Sequence, residues 1–345
     1  MFNVQKQPPS IPPCHGGSFK VSPDKGRFGG VCKCYIILIA LVLFIITSCG
    51  GVGHLPETSS AGSMPLVTFV LDDGNDTDYL LGKKLFADQG AVACSAVTTD
   101  RISTPYHLTP PQMVALQEAG WEIMGHTVSH PNLNSLTTAQ LEDELSRSKT
   151  ILEGLGLKIN NIVYPFNKNN DLVRSVARKY YRSGRGGTNS FNTGTIDPYF
   201  LKSFTLKHDL PLMNSYIDQA YSDKSWLIFY THEIDAKVKI MDSEGTFAKG
   251  ETVTLTPSGT VARYTTTHWF PIYGSYMYLV PFSGVPQPGD TVTGTTSGAT
   301  ARIDYIMYND LTLLSDMLGY VRTKYPDMRI VTIDEGLDLL GIPKI

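Results

Sequence analysis

The chain has 345 residues, 42% hydrophobic and 18% charged, with a formal net charge of -3 and a pI near 6.2. Such a composition is globular and can bury one large core or two modest ones. No Lys/Arg block that would track a phosphate backbone appears after residue 50, so nucleic acid is not an expected partner.

Residues 1–34 are rich in Pro, Gly, Ser and Lys without apolar periodicity, and are expected to be disordered. Residues 35–49 begin with an apolar run, Tyr35 to Ile46, preceded by Lys20, Lys25, Arg27 and Lys33. That length suits the hydrophobic region of a secretory signal and is short for a membrane span, and the positive flank would stay cytoplasmic. The run ends in Ile46-Thr47-Ser48-Cys49-Gly50, which resembles the lipobox of bacterial lipoproteins. The resemblance implies that Cys49 is lipidated and becomes the first mature residue; an uncleaved membrane anchor is the alternative. Either way the body of the chain is expected to be exported and held at the cell envelope, with residues 50–64 as a linker. Of the five cysteines only Cys94 lies in the body, so no disulfide framework is expected, and Cys94 fits a small buried hydrophobe.

Leu66 to Leu71 is six apolar or β-branched residues, the pattern of a strand buried on both faces, and it ends in Asp72-Asp73-Gly74. Successive side chains of a strand point opposite ways, so at least one of these adjacent acids must face the interior or the mouth of a barrel. Downstream, helical spacing over Tyr79–Asp88 alternates with strand patterns over Ala91–Val97 and Trp121–Gly125, with a Thr109-capped helix between the two. The alternation continues through a helix over Thr138–Leu155, a strand over Asn161–Tyr164 and a helix over Asp171–Tyr181. A strand at Leu201–Leu206, a helix at Pro211–Tyr221 and a strand at Trp226–Thr231 follow. A helix over Tyr308–Lys324, a strand over Arg329–Thr332 and a last helix over Glu335–Leu340 close the chain. This spacing predicts an α/β fold, a deformed parallel (β/α) barrel of about seven strands whose functional residues sit at the carboxyl ends of the strands. The barrel is expected to comprise residues 65–236 and 305–345.

Residues 237–304 break the alternation: they are dense in Thr, Gly and Val and predict a small all-β insert. Gly250 to Arg263 matches Gly289 to Arg302 without a gap, an internal repeat with a period of about forty residues. The repeat weakly resembles Gly/Ser/Ala repeats of phage virion and tail-associated proteins. Trp269, Phe270, Tyr273, Tyr276 and Tyr278 either contact a glycan or partner or form the insert's own core. A repeat that closes on itself, entering and leaving at one junction, is expected to be separable from catalysis.

His126-Thr-Val-Ser-His130 follows the third strand at once. Read as a helical turn, residues four apart share a face, so both imidazoles can point at one ion; Asp73 completes a two-histidine, one-carboxylate set with positions left open. Together these motifs resemble the polysaccharide deacetylase family (carbohydrate esterase family 4, NodB homology domain), over about Leu66–Ala236 and Tyr308–Leu340. The resemblance implies a hydrolase that removes N-acetyl groups from an amino-sugar polysaccharide using one divalent ion, zinc first and Co2+, Ni2+ or Mn2+ as alternatives. It makes Asp72 the general base, Asp73, His126 and His130 the metal ligands, and His232 in Phe229-Tyr-Thr-His232 the general acid. Tyr164-Pro165-Phe166 is similar to the third motif, so Phe166 would lend its N–H to the oxyanion, with Tyr164 beside it. The sequence departs from the family at Val163, where an arginine is usual, at Asn167, where glycine is usual, and in lacking an Asp-x-x-Asp-Trp motif. Arg182 and Arg185 are candidates for the missing cation. The alternative function is a catalytically degenerate scaffold that binds glycans or mediates adhesion.

Overall fold

The structure is a computed structural model that describes residues 60–61 and 64–344. The expected disordered region, the apolar run, Cys49 and nearly all of the linker therefore lie outside the described residues. Among the described residues no helix is long and apolar enough to cross a membrane.

Seven parallel strands form the main sheet: β1 (Leu66–Leu71), β2 (Cys94–Val97), β3 (Glu122–Gly125), β4 (Asn161–Val163), β5 (Ser183–Thr188), β6 (Leu201–Thr205) and β7 (Trp226–Thr231). They lie in chain order, and β7 pairs back onto β1 from Leu66↔Trp226 to Leu71↔Thr231, which closes the barrel. Some contacts are narrow, with a single β3–β4 pair at Gly125↔Ile162 and a register shift between Arg185 and Gly187, so the barrel is deformed as expected. The expected strand, helix and strand at 91–97, 109–118 and 121–125 are all present, and α2 (Pro110–Glu118) carries a Thr109/Gln112 capping box. In α3 (Thr138–Gly154) the buried side is Leu141, Leu145, Ser148 and Leu152. The remaining barrel helices are α1 (Lys83–Asp88), α4 (Asp171–Ala177), α5 (Leu210–Ser222), α6 (Asp310–Lys324) and α7 (Ile333–Leu339).

Alternation along the strands divides the core into two layers. Val67, Phe69 and Leu71 face outward and pack with Leu116, Leu141, Leu145, Ile217 and Leu314 from the helices. Leu66 and Val70 face inward with Met124, Val163, Leu201 and Ile228, and Ile333 and Leu337 of α7 join them. Cys94 is buried in this inner layer without a disulfide.

Three boundaries differ from the sequence expectation. A strand at 183–188 was hidden because Ser183-Gly-Arg-Gly-Gly-Thr188 has low β-propensity. Its glycines admit the ring of Tyr164: a Cβ on Gly184 would sit 2.1 Å from the Tyr164 hydroxyl, and one on Gly186 2.6 Å from its Cδ2. Tyr308 belongs to a strand, and the helix begins at Asp310, capped by the Asn309 side chain on the Thr312 amide at 3.3 Å. The last strand, between α6 and α7, is only Arg329–Ile330, paired to the start of β1.

The insert is a closed antiparallel barrel of β8 (Ala236–Glu244), β9 (Thr252–Thr256), β10 (Val261–Phe270), β11 (Gly274–Ser283), β12 (Thr291–Gly294) and β13 (Thr300–Asn309), so it extends past residues 237–304 at both ends. Its two repeats are related by a pseudo-twofold axis. Thr254 pairs with Thr293 and Val238 with Met277, each with its own counterpart in the other repeat, and the flanking pairs Val253↔Gly294 and Leu255↔Val292 exchange under the same operation. The acid of each repeat reaches the Ser-Gly turn of the other. Glu251 accepts the amides of Ala248 and Ser297, and Asp290 those of Gln287 and Ser258. The insert is not free-standing, however, because Val280 of β11 joins the outer core of the main barrel. Of its aromatics, Trp269 and Tyr273 are exposed at the β10–β11 end, whereas Tyr276 is buried.

Candidate active site

The inward-facing positions of β1, β3, β5 and β7 converge at the carboxyl mouth of the barrel. On β1 the inward series Leu66, Thr68, Val70 continues into Asp72, which is 4% exposed. Its neighbour Asp73 would point away, but its backbone is left-handed (φ 80°), as is that of Gly74 (φ 69°), and its carboxylate turns to the two histidines. Asp73 Oδ1 lies 3.7 Å from His126 Nε2 and 3.4 Å from His130 Nε2, and one ligand atom from each residue falls within 4.8 Å of the others.

His126 continues the inward series of β3, and its Nδ1 donates to the Val163 carbonyl at 2.8 Å, which leaves Nε2 free to ligate. Burial is the main cause that pushes the His126 imidazole down, to about 4, so it stays neutral as a ligand must. Burial also lowers His130. The segment between them is not the helical turn expected from the spacing: Thr127 (φ 67°) and His130 (φ 61°) are both left-handed. Glu144 of α3 holds that loop, accepting from the Val128 amide at 2.8 Å and the Ser129 amide at 3.0 Å, and Thr127 Oγ1 accepts the His130 amide at 3.0 Å.

Two nitrogens and a carboxylate oxygen suit a divalent ion of zinc type. Asp73 Oδ1 is buried and accepts no hydrogen bond; Arg101 Nη1 is 3.1 Å away, an ion pair the sequence did not disclose. A buried carboxylate oxygen that receives no hydrogen bond from a donor, facing two imidazole nitrogens, fits a bound cation.

Arg185 supplies the cation next to Asp72. From β5 its Nη2 donates to both carboxylate oxygens, at 2.5 Å for Oδ2, and its Nη1 donates to Asn167 Oδ1 at 2.6 Å. The guanidinium lies 4.5 Å over the Tyr230 ring, and the Tyr230 hydroxyl accepts from Asn167 Nδ2 at 3.0 Å and Thr205 Oγ1 at 2.6 Å. Asn167 is thus a structural link between the arginine and Tyr230, and neither Tyr230 nor Thr205 was foreseen from the sequence.

Arg182 does not belong to the site. It precedes β5, at the opposite end of the barrel, and donates to Asp334 Oδ1 at 2.6 Å and to the carbonyls of Ile342 and Pro343. Tyr164 is likewise displaced: Val163 faces inward, so Tyr164 faces outward, fully buried, its hydroxyl on the Tyr199 carbonyl at 3.2 Å. Phe166 is at the mouth, left-handed (φ 57°), exposed, and edge-on to His130 at 4.6 Å. His232 lies one residue past β7, exposed, its ring 6.2 Å from that of Tyr230.

Residues 60–182 match the polysaccharide deacetylase family. A Bacillus subtilis (strain 168) protein named as a candidate polysaccharide deacetylase, YxkH, is 30% identical over 115 residues, which are 33% of this chain and 40% of that protein. The matched region thus spans well under half of that relative. Among solved structures, the Streptococcus pyogenes deacetylase PplD in complex with acetate is 21% identical over 45% of this chain and 69% of its own, with a TM-score of 0.40. The Xyl-CE4 domain of a multidomain xylanase from the Trinervitermes trinervoides hindgut metagenome is 11% identical over 82% of this chain and 94% of its own, with a TM-score of 0.44.

Proposed function

We propose that the protein is a metal-dependent hydrolase that removes N-acetyl groups from an amino-sugar polysaccharide. The observation that carries this reading is the pairing of two sites at one barrel mouth: an open Asp73–His126–His130 set, and beside it the buried Asp72 held by Arg185. A divalent ion at the first site, zinc being the first choice, supplies Lewis-acid polarisation of an acyl oxygen and lowers the pKa of water from 15.7 toward about 7.

Asp72 accepts the proton of the attacking water, with Arg185 fixing the direction of its carboxylate. The Phe166 N–H supports the developing oxyanion. His232 gives a proton to the departing amine as the C–N bond breaks, so acetate and a free amino sugar result. An acetamide is a poor electrophile with a poor leaving group, and for that reason both base and acid are assigned. The lipobox-like Cys49 supports a location at the cell envelope on a lipid anchor.

The test is acetate release from an N-acetylglucosamine oligomer by chelated protein before and after zinc is restored. Release only with the ion supports the reading. Zinc binding without release would support the glycan-binding alternative.

A further inference from the structure

Arg263 on β10 of the insert reaches out of its own barrel into the loops of the active site. Its Nη1 donates to Asp76 Oδ2 at 2.6 Å, and its Nη2 to Asp76 Oδ1 at 2.9 Å and Glu233 Oε1 at 3.2 Å. Asp76 closes the loop that begins with Asp72 and Asp73; Glu233 directly follows His232. Arg263 is 8% exposed and its guanidinium lies 4.6 Å over the Tyr106 ring, and the Tyr106 carbonyl accepts the Asp76 amide at 2.9 Å. The same two loops touch once more, where Thr77 Oγ1 accepts the Ile234 amide at 3.1 Å.

The repeat itself does not require this contact. Arg302 occupies the matching position of the second repeat and pairs instead with Asp242 of the insert at 2.9 Å, in an exposed position. Both carboxylates that Arg263 binds come from the catalytic barrel. Without a cation between them, Asp76 and Glu233 would face each other as like charges close to Asp72 and Asp73. The loop carrying Asp73 also runs through left-handed backbone, which persists only where its surroundings hold it.

We propose that Arg263 is a positioning residue, through which the insert holds the metal-ligand loop and the His232 loop in one arrangement. This rests on the deacetylase reading of the site. The Asp76 arm sets Asp73, and the Glu233 arm sets His232.

The test titrates zinc chloride into the metal-free full chain and measures acetate release from an N-acetylglucosamine oligomer for four variants. Arg263→Gln should weaken zinc binding and lower kcat, each by about 10- to 100-fold. Asp76→Asn should weaken zinc binding, whereas Glu233→Gln should lower kcat with zinc affinity unchanged. Arg302→Gln should match the wild type in both. Wild-type zinc affinity and kcat in Arg263→Gln, or equal losses in Arg302→Gln, would overturn the proposal. If Arg263→Gln fails to fold, Asp76→Asn and Glu233→Gln, which leave the insert intact, decide the matter: wild-type values in both overturn it. If the wild type binds zinc but releases no acetate, the deacetylase reading falls, and the zinc affinities of Arg263→Gln and Asp76→Asn still decide the role of Arg263.

Discussion

Arg185 on β5 and Asp72 at the end of β1 form a buried ion pair across the barrel mouth, with the guanidinium in contact with both carboxylate oxygens. The pair explains how an active-site arrangement can persist with Val163 at the position where the family resemblance calls for arginine. The cation arrives from the neighbouring strand, paired to β4 at Val163↔Arg185, and so reaches the same place from one strand further on.

Arg185→Met should therefore strand a buried carboxylate. Breaking such a pair is expected to destabilise the fold by about 3 kcal/mol or more. Arg185→Lys keeps the charge but loses the fork that spans Asp72 and Asn167. Its turnover should fall by about 10²-fold through misplacement of the base, with bound zinc unchanged. Metal analysis of the purified variant beside its acetate-release rate checks this. Full activity in Arg185→Lys would show that a point charge suffices.

The two acids that end β1 are expected to divide their labour. Asp73→Ala, His126→Ala and His130→Ala should each lose bound ion and activity together. Asp72→Asn should keep the ion and lose about 10²- to 10⁴-fold in turnover. Elemental analysis of the purified Asp72→Asn protein is decisive, since loss of its metal would make Asp72 a ligand.

Much of this site was legible because period-two alternation carries through the strand ends. Asp72 continues Leu66, Thr68 and Val70, and His126 continues Met124, so a buried strand read from sequence already aims both residues into the barrel. The same rule places Tyr164 outside, since Val163 precedes it inside. What the sequence concealed depends on pairing between distant segments. A glycine-rich strand gives no apolar signal, so Arg182 and Arg185 looked equivalent although they lie at opposite ends of the barrel. The histidine pair was legible by spacing, but the conformation that joins it was not, because left-handed Thr127 and His130 are imposed by Glu144 from another element. The insert's repeat was visible as identity. Its dependence on the main barrel was not, because Arg263 and Arg302 are the same residue in the same motif and differ only in what lies opposite.

At the far end of the barrel, Glu122 is buried and its carboxyl is raised to about 7, chiefly by burial, although Asn161 Nδ2 donates to it at 2.6 Å and the Asp334 amide at 2.7 Å. An acid raised above its ordinary value of 4.5 adds stability that is complete below that value and is lost as pH rises through about 7. The change across this window is on the order of 3 kcal/mol. Glu122→Gln should remove the dependence, so that the variant gains on the wild type in thermal melts between pH 5 and pH 8, about the range that the shift spans. Parallel melting curves for the two proteins across the range would mean that Glu122 ionises without penalty.

His232 prolongs the inward series of β7, Trp226, Ile228 and Tyr230, one step beyond the strand, and Asp72 donates its amide to the Thr231 carbonyl beside it at 2.8 Å. It is thus the next inward-facing group after Tyr230 on the strand that pairs with β1, which ends at Asp72. Its exposure suits a group that must exchange protons with solvent between turnovers, and Glu233 on its other side is held by Arg263. As the acid for the departing amine, His232→Asn should lose about 10²- to 10⁴-fold in turnover on an N-acetyl substrate, with metal content unchanged. On an activated acetate ester, whose leaving alcohol departs without protonation, the loss should be far smaller. Rates on both substrates, measured with one preparation of the variant, separate the roles: equal losses would make His232 a residue that positions the substrate and would leave the amine's proton to another donor.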